Sequence, residues 1–143
     1  MKRYSYSILI LCLALTTVAF PQDKTDKTDK TKAAEQAAAD WLKFMDFDAY
    51  ARGWRQASLT LKAVVSEGNF EQTLRATRTP LGVVRSRQLK SVEYKKQMPR
   101  LPEGQYALIR YNTSFEHKKV AIETVLLELE KDGHWRAAGY SID

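Results

Sequence analysis

KVAIETVLLELE, KDG and HWRAAGYSI follow one another from Lys119 to Ile142, and this segment sets the architecture of the chain. Its two runs are rich in aliphatic, β-branched and aromatic residues, and the Asp132-Gly133 pair between them is typical of a tight turn, so we predict a β-hairpin. Apolar residues occupy both faces of the first strand. One face carries Val120, Ile122 and Leu126, and the other carries Ala121, Val125, Leu127 and Leu129. Because both faces need cover, we predict a central strand.

Two further strands precede this hairpin. Pro80 and Gly82 end the helical part of the chain, and beyond them apolar residues recur with a period of two. We predict one long strand from Val83 to Gln97, with a bulge where its apolar parity slips, and a second from Gln105 to Phe115. The chain therefore holds four antiparallel strands.

Three helices are predicted before the strands. The first runs from Ala33 to about Asp46, where apolar residues recur at helical spacing. Asp48 and Ser66 are residue types that cap helix N-termini, and each precedes a further amphipathic segment. Residues 58–65 are ambiguous, and we interpret them mainly as a packed connection. Helices followed by strands indicate an α+β domain in which the helices cover one face of the sheet.

The first segment of the chain is typical of a secretory signal peptide. Lys2 and Arg3 are followed by an apolar run from Ile8 to Ala19, which ends in small residues and is shorter than the roughly 20 residues of a membrane-spanning helix. We expect residues 1–19 to be a signal peptide cleaved near Ala19, and the protein to be exported, periplasmic or secreted. An uncleaved anchor is the alternative.

Cleavage would leave a mature protein with few chemical options. It removes Cys12, the one cysteine of the chain, and with it any disulfide or Cys metal ligand. It also removes two of the positive charges behind the formal net charge of +6, and such a modest excess argues against a nucleic-acid partner. Residues 20–32 contain three Asp-Lys-Thr copies, for which we predict a flexible tether. Residues 33–143 then form a single domain.

Several blocks of the chain resemble a bacterial exported family, domain-of-unknown-function family 4019. They are FDAYARGWRQAS (47–58), RTPLGVVRSR (78–87), PEGQYALIRYNTSF (102–115), AIETV (121–125) and DGHWRAAGYSI (132–142). The resemblance covers roughly Ala33 to Asp143. It implies a fold similar to the nuclear-transport-factor-two and ketosteroid-isomerase superfamily, in which helices pack into a strongly curved sheet to form a cone. It implies no activity, because none is established for the family.

An enzyme on such a cone would hold an acid or base in its apolar cavity, where desolvation raises a carboxyl pKa. Glu123 shares the parity of Val125 and Leu127 and is the best candidate, whereas Asp46 belongs to an ordinary solvated helix face. A buried carboxylate needs a cation, and the basic residues expected near the sheet are Arg78, Arg87 and Arg110. Glu123 is therefore either a general base or ligand-binding group, or one half of an ion pair that fixes strand register.

Aromatic residues offer a second kind of site. Their rings could line a pocket for a hydrophobic or sugar-like ligand, or they could fill the core.

His117 and His134 lie at turns, where we expect them to be exposed, and they are not spaced as metal ligands. No glycine-rich phosphate loop is present, so we expect no metal and no cofactor. The candidate ligand-binding residues are Trp54, Arg78, Arg87, Tyr106, Arg110, Glu123, Trp135 and Tyr140.

We therefore expect an exported, non-enzymatic module that binds a partner protein or a small ligand in the cell envelope. The alternative is a small hydrolase or isomerase that uses Glu123 as acid or base. A homodimer is also predicted, because three short helices can cover only one of the two apolar faces of the central strand.

Overall fold

The computed structural model describes residues 22–143, with side chains from residue 29, so the predicted signal peptide lies outside the described residues. Helices come first along the chain. They are α1 (Gln22–Asp46), α2 (Tyr50–Arg55), α3 (Leu59–Val64) and α4 (Glu67–Thr77), followed by a 3₁₀ turn at Thr79–Leu81. The strands are β1 (Val84–Lys95), β2 (Tyr106–Phe115), β3 (Ala121–Leu129) and β4 (Trp135–Ile142).

The strands form an open four-stranded antiparallel sheet in the order β1-β2-β3-β4. The prediction of an α+β fold with helices on an antiparallel sheet is thus confirmed. β3 lies between β2 and β4, so it is central as predicted, and Glu123 is in register with Tyr111 on one side and Ile142 on the other. β1 contains two register shifts, one more than its sequence parity indicates.

The described residues hold four α-helices, whereas three are predicted. The additional helix is α3, which lies in the ambiguous segment 58–65. Ser58 caps it, because the Ser58 Oγ accepts a hydrogen bond from the backbone N–H of Leu61 at 3.2 Å. The backbone N–H of Ser58 also donates to the carbonyl of Ala137, which ties the start of α3 to β4. Six residues are too few to show a clear helical period in the sequence.

Helix α1 also differs from its prediction, because it begins at Gln22 and not at Ala33. The second part of the predicted flexible tether, residues 22–32, is therefore helical in the structure. The repeat has a sequence basis for this, since its spacing puts an acidic residue four positions before a basic one. Once a packed helix exists, each added residue also gains one backbone hydrogen bond. A spacer role for this segment stays a prediction.

One face of the sheet is covered, and the other is open. Helix α1 packs across all four strands and buries a stripe of side chains against the sheet, namely Ala34, Ala38, Trp41, Leu42 and Met45. The covered, inner face of β3 carries Glu123, Val125 and Leu127, each fully buried. We call the opposite side the outer face, where Ile122 and Leu126 are half-buried.

Candidate functional site

Glu123 lies in the interior, on the face that its parity predicts, and its side chain is 0% exposed. Arg87 donates to both of its oxygens, from Nε to Oε2 at 2.7 Å and from Nη2 to Oε1 at 3.1 Å. The hydroxyl of Thr113 donates to Oε2 at 2.9 Å, and the hydroxyl of Tyr140 donates to Oε1 at 2.5 Å. Each carboxylate oxygen therefore accepts two hydrogen bonds, and no lone pair is left for a substrate proton.

Asp46 extends this arrangement to the end of α1. Arg87 donates from Nη1 and Nη2 to its two oxygens, each at 2.8 Å, and Arg78 donates to Oδ1 at 3.2 Å. The predicted solvated position of Asp46 is therefore wrong. Two cations and two carboxylates meet here, so the charges balance. We call Asp46, Arg78, Arg87 and Glu123, with Thr113 and Tyr140, the buried ion network.

Two members of the buried ion network, Arg87 and Tyr140, have pKa values that their surroundings shift. Burial alone would lower the pKa of Arg87, but its hydrogen bonds to Asp46 and Glu123 raise that pKa above its ordinary value. Burial, and then the negative charge of Glu123, raise the pKa of Tyr140. Arg87 therefore stays charged, and the Tyr140 hydroxyl stays a donor. The network therefore holds the end of α1 against β1 and β3 through charged hydrogen bonds.

Arg78 and Arg110, the other two candidate cations for Glu123, pair with other carboxylates, Asp46 and Glu93 respectively. Arg78 is 2% exposed, donates to the carbonyl of Gly82 at 3.0 Å and lies 4.6 Å above the ring of Phe115, so it reaches Glu123 only through Asp46 and Arg87. Arg110 lies on the outer face, where it pairs with Glu93. The predicted pairing of Arg110 with Glu123 is wrong, because Arg110 alternates with the inward-facing Ile109 and Tyr111.

The aromatic candidates are spread over the molecule. The indole of Trp54 donates to the carbonyl of Val65 at 2.9 Å, and the hydroxyl of Tyr106 donates to the carbonyl of Pro102 at 2.7 Å. Both side chains therefore stabilise the backbone of a nearby loop or turn through these hydrogen bonds. Trp135 instead lines an open cleft together with Trp41, a residue outside the candidate set. The spacing of α1 could have indicated Trp41, which lies on its buried stripe.

This aromatic cleft lies between α1 and the start of β4 and has a volume of about 320 Å³. It is lined by Ala37, Asp40, Trp41, Phe44, Gln56, His134, Trp135, Arg136 and Ala137. Its walls are rings and its rim is polar. The rim charges are already paired, since Lys43 contacts Asp40 and Asp132 contacts Arg136. The Trp41 ring also packs edge-on against Tyr140 at 5.5 Å, which connects the cleft to the buried ion network.

Metal ligands are not assembled in the described part of the chain. His117 and His134 are both exposed, as predicted. Among residues 22–143, no group of three His, Cys, Asp or Glu side chains is placed to hold an ion. The same part of the chain has no helix with both the length and the apolar character needed to cross a bilayer.

Comparison with protein families finds a match for the chain. The sequence model of a family described as "Protein of unknown function (DUF4019)" matches residues 37–140, which is most of the chain. A search of curated proteins finds no match for the chain.

Proposed function

The chain belongs to the DUF4019 family of proteins of unknown function, and we propose that it is an exported, non-enzymatic module that binds a small apolar or sugar-like ligand in the aromatic cleft. The observation that carries this proposal is the set of rings, Trp41, Phe44 and Trp135, around one open cleft. Ligand sites in proteins commonly measure about 300 to 1,000 Å³ and combine apolar walls with a few polar groups. The volume of about 320 Å³ is therefore large enough for one small ring compound.

The polar rim of the cleft supports a ligand that is polar at its edge and apolar on its faces. Gln56 offers an amide and His134 an imidazole, and the side chains of both are exposed at the cleft. Ring faces pack well against flat apolar surfaces, and amide and imidazole groups can donate to hydroxyl oxygens. An aromatic compound with polar substituents, or a sugar, has both features.

The buried ion network supports a non-enzymatic function over the hydrolase or isomerase alternative. A general base must reach the proton that it removes, directly or through one water. Glu123 is fully buried, and its oxygens are occupied by Arg87, Thr113 and Tyr140. Catalysis by Glu123 would require these hydrogen bonds to break. Arg87 would then keep its hydrogen bonds to Asp46 but lose those to Glu123.

Two further expectations belong to this proposal. The relationship to the cone-shaped superfamily of nuclear transport factor two is supported by the order of helices before strands and by a long helix that lies across all four strands. Export is supported by the sequence of residues 1–19. Fractionation of cells into periplasm, membrane and cytoplasm would test export directly, and a cytoplasmic protein of full length would contradict it.

The ligand proposal is tested by a screen of the mature protein, residues 20–143. Ligand-observed NMR with a library of small aromatic compounds and monosaccharides should yield hits that also alter tryptophan fluorescence. Trp135→Ala should weaken these hits about tenfold or more, because a central aromatic anchor carries much of the binding free energy. Trp54→Phe is the matched control, since Trp54 lies outside the cleft.

Thermal unfolding of both variants must remain cooperative for this comparison to count, and Phe44→Ala provides a second change at the cleft. Hits that persist equally in Trp135→Ala and Phe44→Ala would place binding elsewhere. A screen without hits would leave the aromatic cleft without a small ligand of this class, and the proposal would then be wrong.

A further inference from the structure

A second cleft opens between helix α4 and the end of β4, on the other side of Tyr140 from Trp41. Its volume is about 290 Å³. It is lined by Thr73, Leu74, Thr77, Leu81, Lys118, Tyr140, Ser141 and Ile142. None of these residues lines the aromatic cleft. We call it the α4–β4 cleft, and it shares only the contact between Tyr140 and Trp41 with the proposed ligand site.

Three of the eight residues that line the α4–β4 cleft are aliphatic. Leu74 on α4 is buried, and Leu81 in the 3₁₀ turn and Ile142 on β4 are half-buried. The ring of Tyr140 lies at the same cleft, with its hydroxyl directed to Glu123 and therefore unavailable to a ligand. An apolar chain placed here would exchange water for aliphatic contact, which favours binding in proportion to the apolar surface covered.

Lys118 gives this cleft a charge. It lies in the turn between β2 and β3 and is half-buried. Within the described residues its ammonium makes no hydrogen bond or ion pair, in contrast to Arg78, Arg85 and Arg87, which all have carboxylate partners. An ammonium that lines a cleft and has no carboxylate partner is available to pair with the anionic group of a ligand.

Among the residues whose side chains are described, no carboxylate is paired with Lys118. The lining residues of the α4–β4 cleft include no Asp or Glu. Glu116, the nearest acidic residue along the turn, is bonded to Arg85 at 2.5 Å. Asp143 follows the lining residue Ile142, but within the described residues it forms no ion pair with Lys118. The cleft therefore presents one free cation, the hydroxyls of Thr73 and Ser141, and three aliphatic side chains.

We propose that the α4–β4 cleft binds a small organic carboxylate with an apolar tail, whose headgroup pairs with Lys118 and whose tail lies against Leu74, Leu81 and Ile142. This site is independent of the ligand proposed for the aromatic cleft. A carboxylate suits Lys118 because an ammonium is a compact point charge that does not require a bidentate partner.

The experiment is a titration of the mature protein with octanoate, with octanol as the uncharged compound of the same length. Saturable binding of octanoate is expected, with amide NMR shifts at Thr73, Thr77 and Ser141 and with weaker binding of octanol. Lys118→Gln should weaken octanoate about tenfold or more, because it removes the charge from a partly buried pair. Lys119→Gln is the matched control, since Lys119 is an exposed neighbour that does not line the cleft.

Each other outcome overturns the proposal. Equal affinity for octanoate and octanol would indicate apolar binding without recognition of the anion. Equal effects of Lys118→Gln and Lys119→Gln would indicate a general electrostatic attraction. Shifts confined to the aromatic cleft, or no binding at millimolar octanoate, would show that the α4–β4 cleft is not the site.

A second variant tests the site by filling it. Thr77 is exposed on α4 and lines the cleft, so Thr77→Trp should abolish binding without disturbing the fold.

Discussion

Glu123 shows how far a single residue can be placed from sequence. Its parity within β3 puts it on the inner face. The requirement for a cation gave three candidates, Arg78, Arg87 and Arg110, of which the structure places Arg87 against Glu123. Asp46 was accessible to the same reasoning, because it follows the buried Leu42 by four positions on α1. Thr113 and Tyr140 were not, since strand order and register bring them to Glu123 and neither follows from local pattern.

We predict that Glu123→Gln destabilises the protein substantially. The substitution leaves Arg87 partly buried with one carboxylate partner fewer, and breaking a buried pair from one side costs on the order of 3 kcal/mol. Urea unfolding followed by circular dichroism measures the change. Glu93→Gln is the control, because Glu93 pairs with Arg110 on the surface, where a pair contributes about 1 kcal/mol or less. Equal losses in the two variants would contradict a structural role for the buried ion network.

At the scale of elements, the two long strands β1 and β2 were predicted most closely. β1 and β2 lie within two residues of their predicted bounds, because period-two alternation over ten or more residues is distinctive. α3 was missed because the apolar pattern of residues 58–65 does not separate a short helix from a packed connection, although α2, which is equally short, was predicted. The early start of α1 was missed because charged repeats look alike in a coil and in a solvated helix. A strand parity that slips twice in β1 also conceals where each bulge lies.

Tyr50 connects helix α2 to the 3₁₀ turn through its hydroxyl, and the stability of this contact depends on alkaline pH. Its hydroxyl donates to Asp48 at 2.5 Å and lies 2.8 Å from the hydroxyl of Thr79 in the 3₁₀ turn. Burial, and then the hydrogen bond to Asp48, raise the pKa of Tyr50 from 10.0 to about 12. Because the folded protein favours the neutral phenol, this stabilisation is complete below pH 10 and is lost as the pH rises toward 12.

We therefore expect the free energy of unfolding to fall between about pH 10 and pH 12. Urea titrations at stepped pH measure this fall, and tyrosinate absorbance should show part of the tyrosines ionising later in the folded protein than in urea. Tyr50→Phe should be less stable than the native protein at neutral pH, because it loses the two hydroxyl contacts, but its stability should decline less over this range. Identical pH dependence in the two proteins would contradict the assignment to Tyr50.

The architecture of the whole molecule is set by the packing of the helices against the sheet. Sequence patterns predict this packing only coarsely. The order of elements predicts helices against one sheet face, and α1 does lie across all four strands. The order of elements does not predict which residues lie on the uncovered face of the sheet. Within residues 22–143, no helix is seen over the aliphatic side chains that β3 places on the outer face, and Val120, next to β3, is 83% exposed. This uncovered face is the physical basis of the predicted homodimer.

We predict that two copies associate through their outer faces, and that Val120→Lys weakens this association about tenfold, because a charge would be buried in an apolar contact. Pairing through the β1 edge is disfavoured, since two register shifts and Lys90 and Lys95 lie on that edge strand. Sedimentation equilibrium over a range of concentrations measures the dissociation constant. Val64→Lys is the control, because Val64 is similarly exposed, at 74%, but belongs to helix α3 and not to the β3 segment. A native protein that stays monomeric, or equal effects of the two substitutions, would remove the outer face as a dimer surface.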